Sequence, residues 1–524
     1  MGIIAIFGHM DIRCCSPTLP RAARRVAAYC VLCLCVLPAL WAQQPLQEVF
    51  ARINDEVLAR PKGYQTLKTA CLDIGHRLTG SANGARAEQF VYDTWQGYGL
   101  PQVAFQPFEV EAWSRGMCAV EYNLQKPGNR GVAPWDTLRA VALAQTPEVA
   151  MAEAQLIDMG NGLPADYTAL LKQAPQALRG KVVLLNLGLV GAPEGTANLH
   201  RSEKTQLAIQ HGAGGVLFVY DREGDNVLTG TCSADGKLVR IPVACISKNG
   251  ANRIRQHLAS GGTKGNTGTV RIRMGMTNTV APVKARNIIA TIPGRELPQE
   301  KILIGGHLDS WDLSHCAIDN GIGAFSIVEM ARIFQVLGLR PRRTIEFVMF
   351  MGEEQGLLGS KHYVAQAKAA GTLGQVRAMI NVDMTGNPVG FNAVGRPELL
   401  DLLAQVGTPI QALDTAFANR NTAHAGLHSD HQPFMLEGVP TFWANGNHHP
   451  GVTACYHSDC DEIHLVDPAH LNNNVRFLSM LLYALADAPE LPMPHLSHTQ
   501  VRDFLIQHKL DEALRIKGQW IWGE

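Results

Sequence analysis

From about residue 285 onward, short apolar runs alternate with longer stretches of helical spacing. Lys301-Ile-Leu-Ile, Thr344 to Met349 and Ala378 to Val382 are brief and rich in branched and aromatic side chains, as suits strands covered on both faces. The intervening patterns predict helices near 321–337 and 359–370. A strand–helix alternation of this kind predicts an α/β domain with a mixed, mostly parallel sheet flanked by helices. Upstream, Ala85 to Tyr98 has helical periodicity and stops at Gly99, and Gln102 to Ala112 alternates weakly, like a strand.

Between about 126 and 280 the pattern changes. Val182-Val-Leu-Leu-Asn-Leu and Gly215-Val-Leu-Phe-Val-Tyr predict short strands separated by a helix near Glu203 to His211. Ile241-Pro-Val-Ala-Cys-Ile precedes a helix over Lys248 to Ser260. Val270-Arg-Ile-Arg-Met and Ala285 to Ile292 look like paired strands. The region reads as an insertion, dividing the chain into 43–125 (first part of the main domain), 126–280 (insert), 281–490 (main domain) and 491–524 (helical tail). In the tail, Val501, Phe504, Leu505, Leu510, Leu514 and Ile516 recur at helix-like spacing. That face suits packing on the body, or a homodimer contact.

Length and composition agree. A chain of 524 residues exceeds one ordinary core. With 46 basic and 46 acidic residues there is no excess charge to neutralise phosphates, which argues against nucleic acid as the main partner. Arg21, Arg24 and Arg25 precede the apolar stretch Val26 to Leu40, and Leu40-Trp41-Ala42 offers a signal peptidase site. At about 15 residues the stretch is short for a bilayer span, so residues 1–42 are expected to be a removed signal peptide. The product is then exported, periplasmic or secreted, with no stable membrane span in the mature chain. Export permits disulfides. Cys455 and Cys460 flank His457, and Cys232 and Cys245 are a second possible pair; buried free thiols are the alternative for all of them.

The candidate chemistry sits at the ends of the predicted strands. His307-Leu-Asp309 follows the first run, with Asp319 in the loop beyond; Glu353 and Glu354 follow the second; Asp383 follows the third; His457 comes late. Loops at the carboxyl ends of strands are where open α/β sheets build sites. Imidazole nitrogen and carboxylate oxygen both suit zinc. Taken singly, each residue has a plainer reading: His307 a core histidine, Asp319 a turn residue, Asp383 a helix cap. The ordered set favours a metal.

The stretches Arg77-Leu-Thr-Gly-Ser, Gly306-His-Leu-Asp-Ser-Trp-Asp, Gly352-Glu-Glu-Gln-Gly-Leu-Leu-Gly-Ser, Asn381-Val-Asp-Met-Thr-Gly and Tyr456-His-Ser-Asp together resemble the co-catalytic zinc exopeptidases of the aminopeptidase type, in particular the plasma glutamate carboxypeptidase-like branch. Gly180-Lys-Val-Val-Leu-Leu and Ile241-Pro-Val-Ala-Cys-Ile-Ser resemble a β-rich protease-associated domain inserted in such peptidases. The resemblance implies two zinc ions per chain. His307, Asp319 and Asp383 would hold one; Asp319, Glu354 and His457 the other, with Asp319 bridging. Glu353 is then placed as general base, and Asp309 as the group that orients the His307 ring. A homodimer is a further implication.

The function expected is a binuclear metallo-exopeptidase releasing N-terminal residues or dipeptides from short peptides. Carboxypeptidase-type cleavage, a related amidohydrolase or glutaminyl cyclase-like activity, and an inactive binding ectodomain are the rivals. Ser429-Asp-His-Gln-Pro-Phe lies near the substrate cleft by the same resemblance, with His428 or His431 as contacts or as parts of a turn. The group that would bind a substrate's amine or its carboxylate is not identifiable at this level.

Overall fold

The computed structural model describes residues 45–125, 134–260, 269–446 and 448–523. The signal peptide expected over residues 1–42 lies outside them, as does the start of the expected insert. The chain divides at Val49, and before that point only the opening of the helix Leu46–Ala59 is described; Phe50–Glu524 forms the larger unit.

The larger unit contains two sheets. The first is built from β1 (Gln102–Ser114), β2 (Thr279–Ile292), β3 (Leu297–His307), β4 (Arg343–Phe350), β5 (Val376–Asn381), β6 (Pro388–Ala393) and β7 (Thr441–Gly446). Their spatial order is β1-β2-β4-β3-β5-β7-β6. Only the central four, β4-β3-β5-β7, run parallel; β1, β2 and β6 pair antiparallel at the flanks. The sheet is therefore mixed, with its parallel part confined to the middle rather than predominant.

Alternation along β4 shows why both faces are apolar. Phe347 meets Phe334 of the helix Gly323–Val336 at 5.7 Å between ring centroids. Phe350 meets Tyr363 of the helix Leu358–Ala369 at 6.2 Å. One face is covered by Gly323–Val336 and Pro468–Asp487, the other by Leu358–Ala369 and the short helix His431–Leu436. Every residue of β4 is buried, as a strand clad on both sides requires.

The second sheet has eight strands between Cys118 and Met276, with the helices Pro164–Gln173, Arg201–Gln210 and Lys248–Ser260 on it. It enters and leaves through a neck: β1 and β2, which bracket it in sequence, pair residue for residue from Gln102↔Thr291 to Ser114↔Thr279. The second sheet thus begins before residue 126, because the strand Cys118–Gln125 already belongs to it. It also does not stand apart as a compact unit. Trp113, Leu78, Trp311 and Cys316 of the main body share one buried cluster with Val120, Leu184, Ile246 and Ile272 of the second sheet.

Val270 to Met274 and Ala285 to Ile292 were expected to pair with each other, and they do not. The strand Thr269–Met276 pairs with Cys118–Gln125 and Val149–Asp158 in the second sheet, whereas β2 pairs with β1 and β4 in the first. Two adjacent strands of similar composition straddle the boundary between sheets, and periodicity alone carries no partner information. The tail forms two short helices, His498–Gln507 and Asp511–Ile516, rather than one. Val501, Phe504, Leu505 and Leu514 are buried with Val394 and Met435, so the apolar face is used within the chain.

Candidate metal centre

The parallel strands deliver the expected residues to one edge. His307 ends β3; Glu353 and Glu354 follow β4; Asp383 follows β5; His457 follows β7. Asp319 sits in the tight turn Ala317–Ile322 that opens the helix Gly323–Val336, and the Asp319–Asn320 peptide is cis. Ligand atoms of His307, Asp319 and Glu354 lie within 4.8 Å of one another, and all three residues are buried. His307 Nε2 is 3.4 Å from Asp319 Oδ1 and 3.3 Å from Asp383 Oδ1. On the other side His457 Nε2 is 3.0 Å from Asp319 Oδ2 and 3.1 Å from Glu354 Oε2. The two oxygens of Asp319 therefore face two different imidazoles.

Three observations fit this group to a divalent cation. The Nδ1 of His307 lies 3.0 Å from the carbonyl oxygen of Asp309, and that of His457 3.2 Å from the carbonyl of Thr229. A carbonyl only accepts, so each ring carries its proton on Nδ1 and turns the Nε2 lone pair inward. Glu354 Oε1 is buried with no hydrogen-bond partner. Finally, the buried carboxylates demand positive charge. Burial opposes the charged form of His307, yet Asp383, Glu353 and Asp319 outweigh it and hold its pKa well above the ordinary histidine value.

Around the ligands is a scaffold of hydrogen bonds. Asp309 was expected to accept from the His307 ring through its carboxylate; its backbone carbonyl does so, with the carboxylate 3.8 Å away. That carboxylate accepts instead from the backbone N–H of Glu353 at 3.2 Å, because the chain turns back beneath the ring. Asp461 accepts from the N–H groups of Ile318 (2.8 Å) and Asp319 (2.9 Å), and so fixes the turn that carries Asp319. Ser429 donates to Asp383 Oδ2 at 2.6 Å.

Sequence reasoning missed Asn320. Its amide donates to the carbonyls of His307 and Val382 and accepts from the N–H of Met384, tying three ligand segments together. Its place beside Asp319 was the available signal. The neighbouring backbones are close enough that a Cβ on Gly306 would lie 2.2 Å from the Val382 carbonyl oxygen. Arg77, in the first motif, is fully buried and donates to the carbonyls of Leu308, His315 and Cys316, clamping the loop beyond His307.

The cysteine expectations divide. Cys455 and Cys460 form the disulfide that closes the His457 loop, while Cys232 and Cys245 are separate free thiols, each buried in the second sheet's core. His431 serves structure rather than cleft: its Nε2 donates to the Gly426 carbonyl at 3.0 Å and its ring abuts Trp443. His428 does line the cleft. Trp311 is buried with its ring edge against His457.

The cleft over these ligands encloses about 150 Å³ and is lined by His307, Asp319, Glu353, Glu354, Asp383 and His457. Residues 287–482, which span the sheet's ligand-bearing part, match the model of peptidase family M28. The chain is a zinc-dependent metallopeptidase, similar over this stretch to the M28 peptidases. It is 26% identical over 476 residues to carboxypeptidase Q of Bos taurus, covering 86% of this chain and 95% of that protein. The fold is shared with a peptidase M28 precursor from Shewanella amazonensis (TM-score 0.70, 20% identity, 86% of this chain and 99% of that one). An aminopeptidase from Aneurinibacillus sp. strain AM-1 has it too (TM-score 0.61, 20% identity, 85% and 99%). Among the described residues of this metallopeptidase no helix is long and apolar enough to cross a membrane.

Proposed function

We propose that the chain is a two-zinc exopeptidase acting on short peptides. The observation that carries this is the placement of Asp319, with one oxygen toward His307 and Asp383 and the other toward His457 and Glu354. His307, Asp319 and Asp383 would hold one ion, and Asp319, Glu354 and His457 the second. Bound zinc would supply Lewis acidity to the scissile carbonyl and to the attacking water. Glu353 acts as general base. Burial first, then the charges of Glu354 and Asp383, hold its carboxyl well above the ordinary range against the opposing pull of His307. A carboxylate made more basic in this way accepts the water's proton and passes it to the departing amine. Asp309 pins the backbone of Glu353 and, through its carbonyl, the ring of His307.

The small cleft and the second sheet that roofs it favour short substrates. We read the second sheet as the protease-associated insert, on its continuous neck at β1 and β2. Export follows from residues 1–42 and is checked by N-terminal sequencing of the mature protein, with Gln43 expected first.

The test is metal content per chain together with turnover of a dipeptide panel, in the wild type and in Glu353→Gln. About two zincs in both proteins, with turnover reduced on the order of 10²–10⁴-fold in the variant, is the expected result. One zinc at saturation, or activity indifferent to Glu353, would overturn the mechanism.

A further inference from the structure

One side of the cleft is closed by the C-terminal tail. The helix Asp511–Ile516 leans on the helix Arg201–Gln210 of the second sheet. Leu514 is buried in one cluster with Val394 and Met435 of the main body, and Ile516 packs on the second sheet's core. Beyond Ile516 the chain turns back at once: Gly518 has φ 67°, and the N–H of Gln519 closes on the Leu514 carbonyl at 2.8 Å. Glycine adopts that left-handed conformation without strain, which is how many helices end. The turn brings Lys517 Nζ to 3.2 Å from Glu203 Oε1, and the side-chain amide of Gln519 donates to the Ala234 carbonyl at 3.0 Å. Lys517, Gln519 and Ala234 all line the cleft.

Gln519 also faces a second space. An outer pocket of about 420 Å³ lies against the helices Leu358–Ala369 and His431–Leu436, where Val364, Ala365, Pro433 and Leu436 line it. The cleft and this pocket share Lys361, Gln432 and Gln519, so these three side chains form the partition between them. Two of the three are fixed from beneath. Gln432 is 2% exposed, and its side-chain oxygen accepts from the His428 N–H at 2.8 Å. Lys361 donates to the Gly356 carbonyl at 2.9 Å. Gln519 is half-buried and tied by a neutral hydrogen bond, which exchanges for water at little net cost. It is the part of the partition that can yield. The cleft itself encloses about 150 Å³, whereas ligand sites ordinarily enclose about 300–1,000 Å³. An extended peptide lengthens by about 3.3 Å with each residue, and the outer pocket offers the added residues more room than the cleft does.

We propose that Gln519 sets the length of peptide this enzyme accepts: its side chain closes the cleft behind a dipeptide, and the outer pocket takes the further residues of a longer chain once that side chain gives way. This rests on the metallo-exopeptidase reading and names a specificity determinant for it. The determinant lies in the tail, beyond residues 287–482 that carry the likeness to the M28 peptidases.

The test follows kcat/KM for Ala-Ala, Ala-Ala-Ala and Ala-Ala-Ala-Ala in the zinc-loaded protein. The wild type should favour Ala-Ala over the tetrapeptide by about tenfold or more, the scale on which a shaped pocket rejects a group too large for it. Gln519→Ala should raise the tetrapeptide-to-dipeptide ratio about tenfold. Ala365→Trp fills the outer pocket from an exposed helix position, and added to Gln519→Ala it should return the ratio to the wild-type value. A side chain that merely steadies the tail would, on removal, lower turnover of all three peptides together with the ratio unmoved, and that result overturns the proposal. A wild type that cleaves the tetrapeptide as well as Ala-Ala overturns it too, as does a ratio that stays high in the double variant. Calorimetric binding of Ala-Ala and the tetrapeptide to Glu353→Gln, with and without Gln519→Ala, reads the same ratio without hydrolysis. A shift there, with no hydrolysis of any of the peptides by the wild type, would sink the exopeptidase reading and leave the length determinant standing.

Discussion

At the residue scale the centre depends on groups that never touch a metal. Ser429 is one: it donates to Asp383 Oδ2 and is itself held by the amide of Asn381 at 2.8 Å. Ser429→Ala frees the carboxylate to turn, and zinc affinity should fall about 10–100-fold in competition with a chromophoric chelator, while thermal stability changes little. Titration of the thiols gives a second expectation. Burial pushes Cys71 and Cys118 up to about 11, and Cys245 up to about 12, from an ordinary 9.0. Above pH 9 the unfolded chain loses these protons while the folded chain keeps them. The folded state then binds more protons, so stability falls as pH rises from 9 toward 12. Urea midpoints measured from pH 8 to 10.5 should show that fall, and Cys245→Ala should make it shallower.

The convergence of the candidate ligands was legible from the sequence because His307, Glu354 and Asp383 follow apolar runs that had to be strands, and strand ends converge. What supports them was less so. Asp461 reaches back to the turn at Asp319 across 142 residues, and Arg201 and Lys517 reach the cleft from an insert and a tail. Contacts of that span depend on how elements stack, which periodicity does not encode.

Among the described elements, the His457 loop is the one closed by a disulfide. The Cys455–Cys460 bridge closes five residues of separation around a ligand whose own φ is 54°. For so short a loop, the chain-entropy estimate of the bridge is about 2 kcal/mol. The larger effect of the Cys455→Ser, Cys460→Ser double variant should be on zinc retention, because a residue with positive φ is easily lost to other conformations. Dialysis against a chelator, followed by metal analysis, checks this. The helical tail breaks at the same scale: Lys509 at φ 58° ends the first helix, and Leu510 opens the second. The apolar spacing of the tail was read correctly, but its break was not.

Taken whole, the unit from Phe50 onward is fastened at two places. The shared cluster around Trp113 and Trp311 joins the sheets, and the tail spans from Val394 and Met435 on the main body to Ile516 against the insert's core. Leu505→Ala, at a site with no exposure, should cost about 2–5 kcal/mol locally and release the tail to proteolysis before the body unfolds.

The brace on His457 also orders events in time. Thr229 gives its N–H to the His457 carbonyl at 2.9 Å, and its own carbonyl lies 3.2 Å from that ring. The last ligand is thus completed by a segment synthesised more than two hundred residues earlier, and the tail that supplies Lys517 emerges later still. A nascent chain therefore cannot assemble this side of the centre until His457 has been added and has folded back onto Thr229.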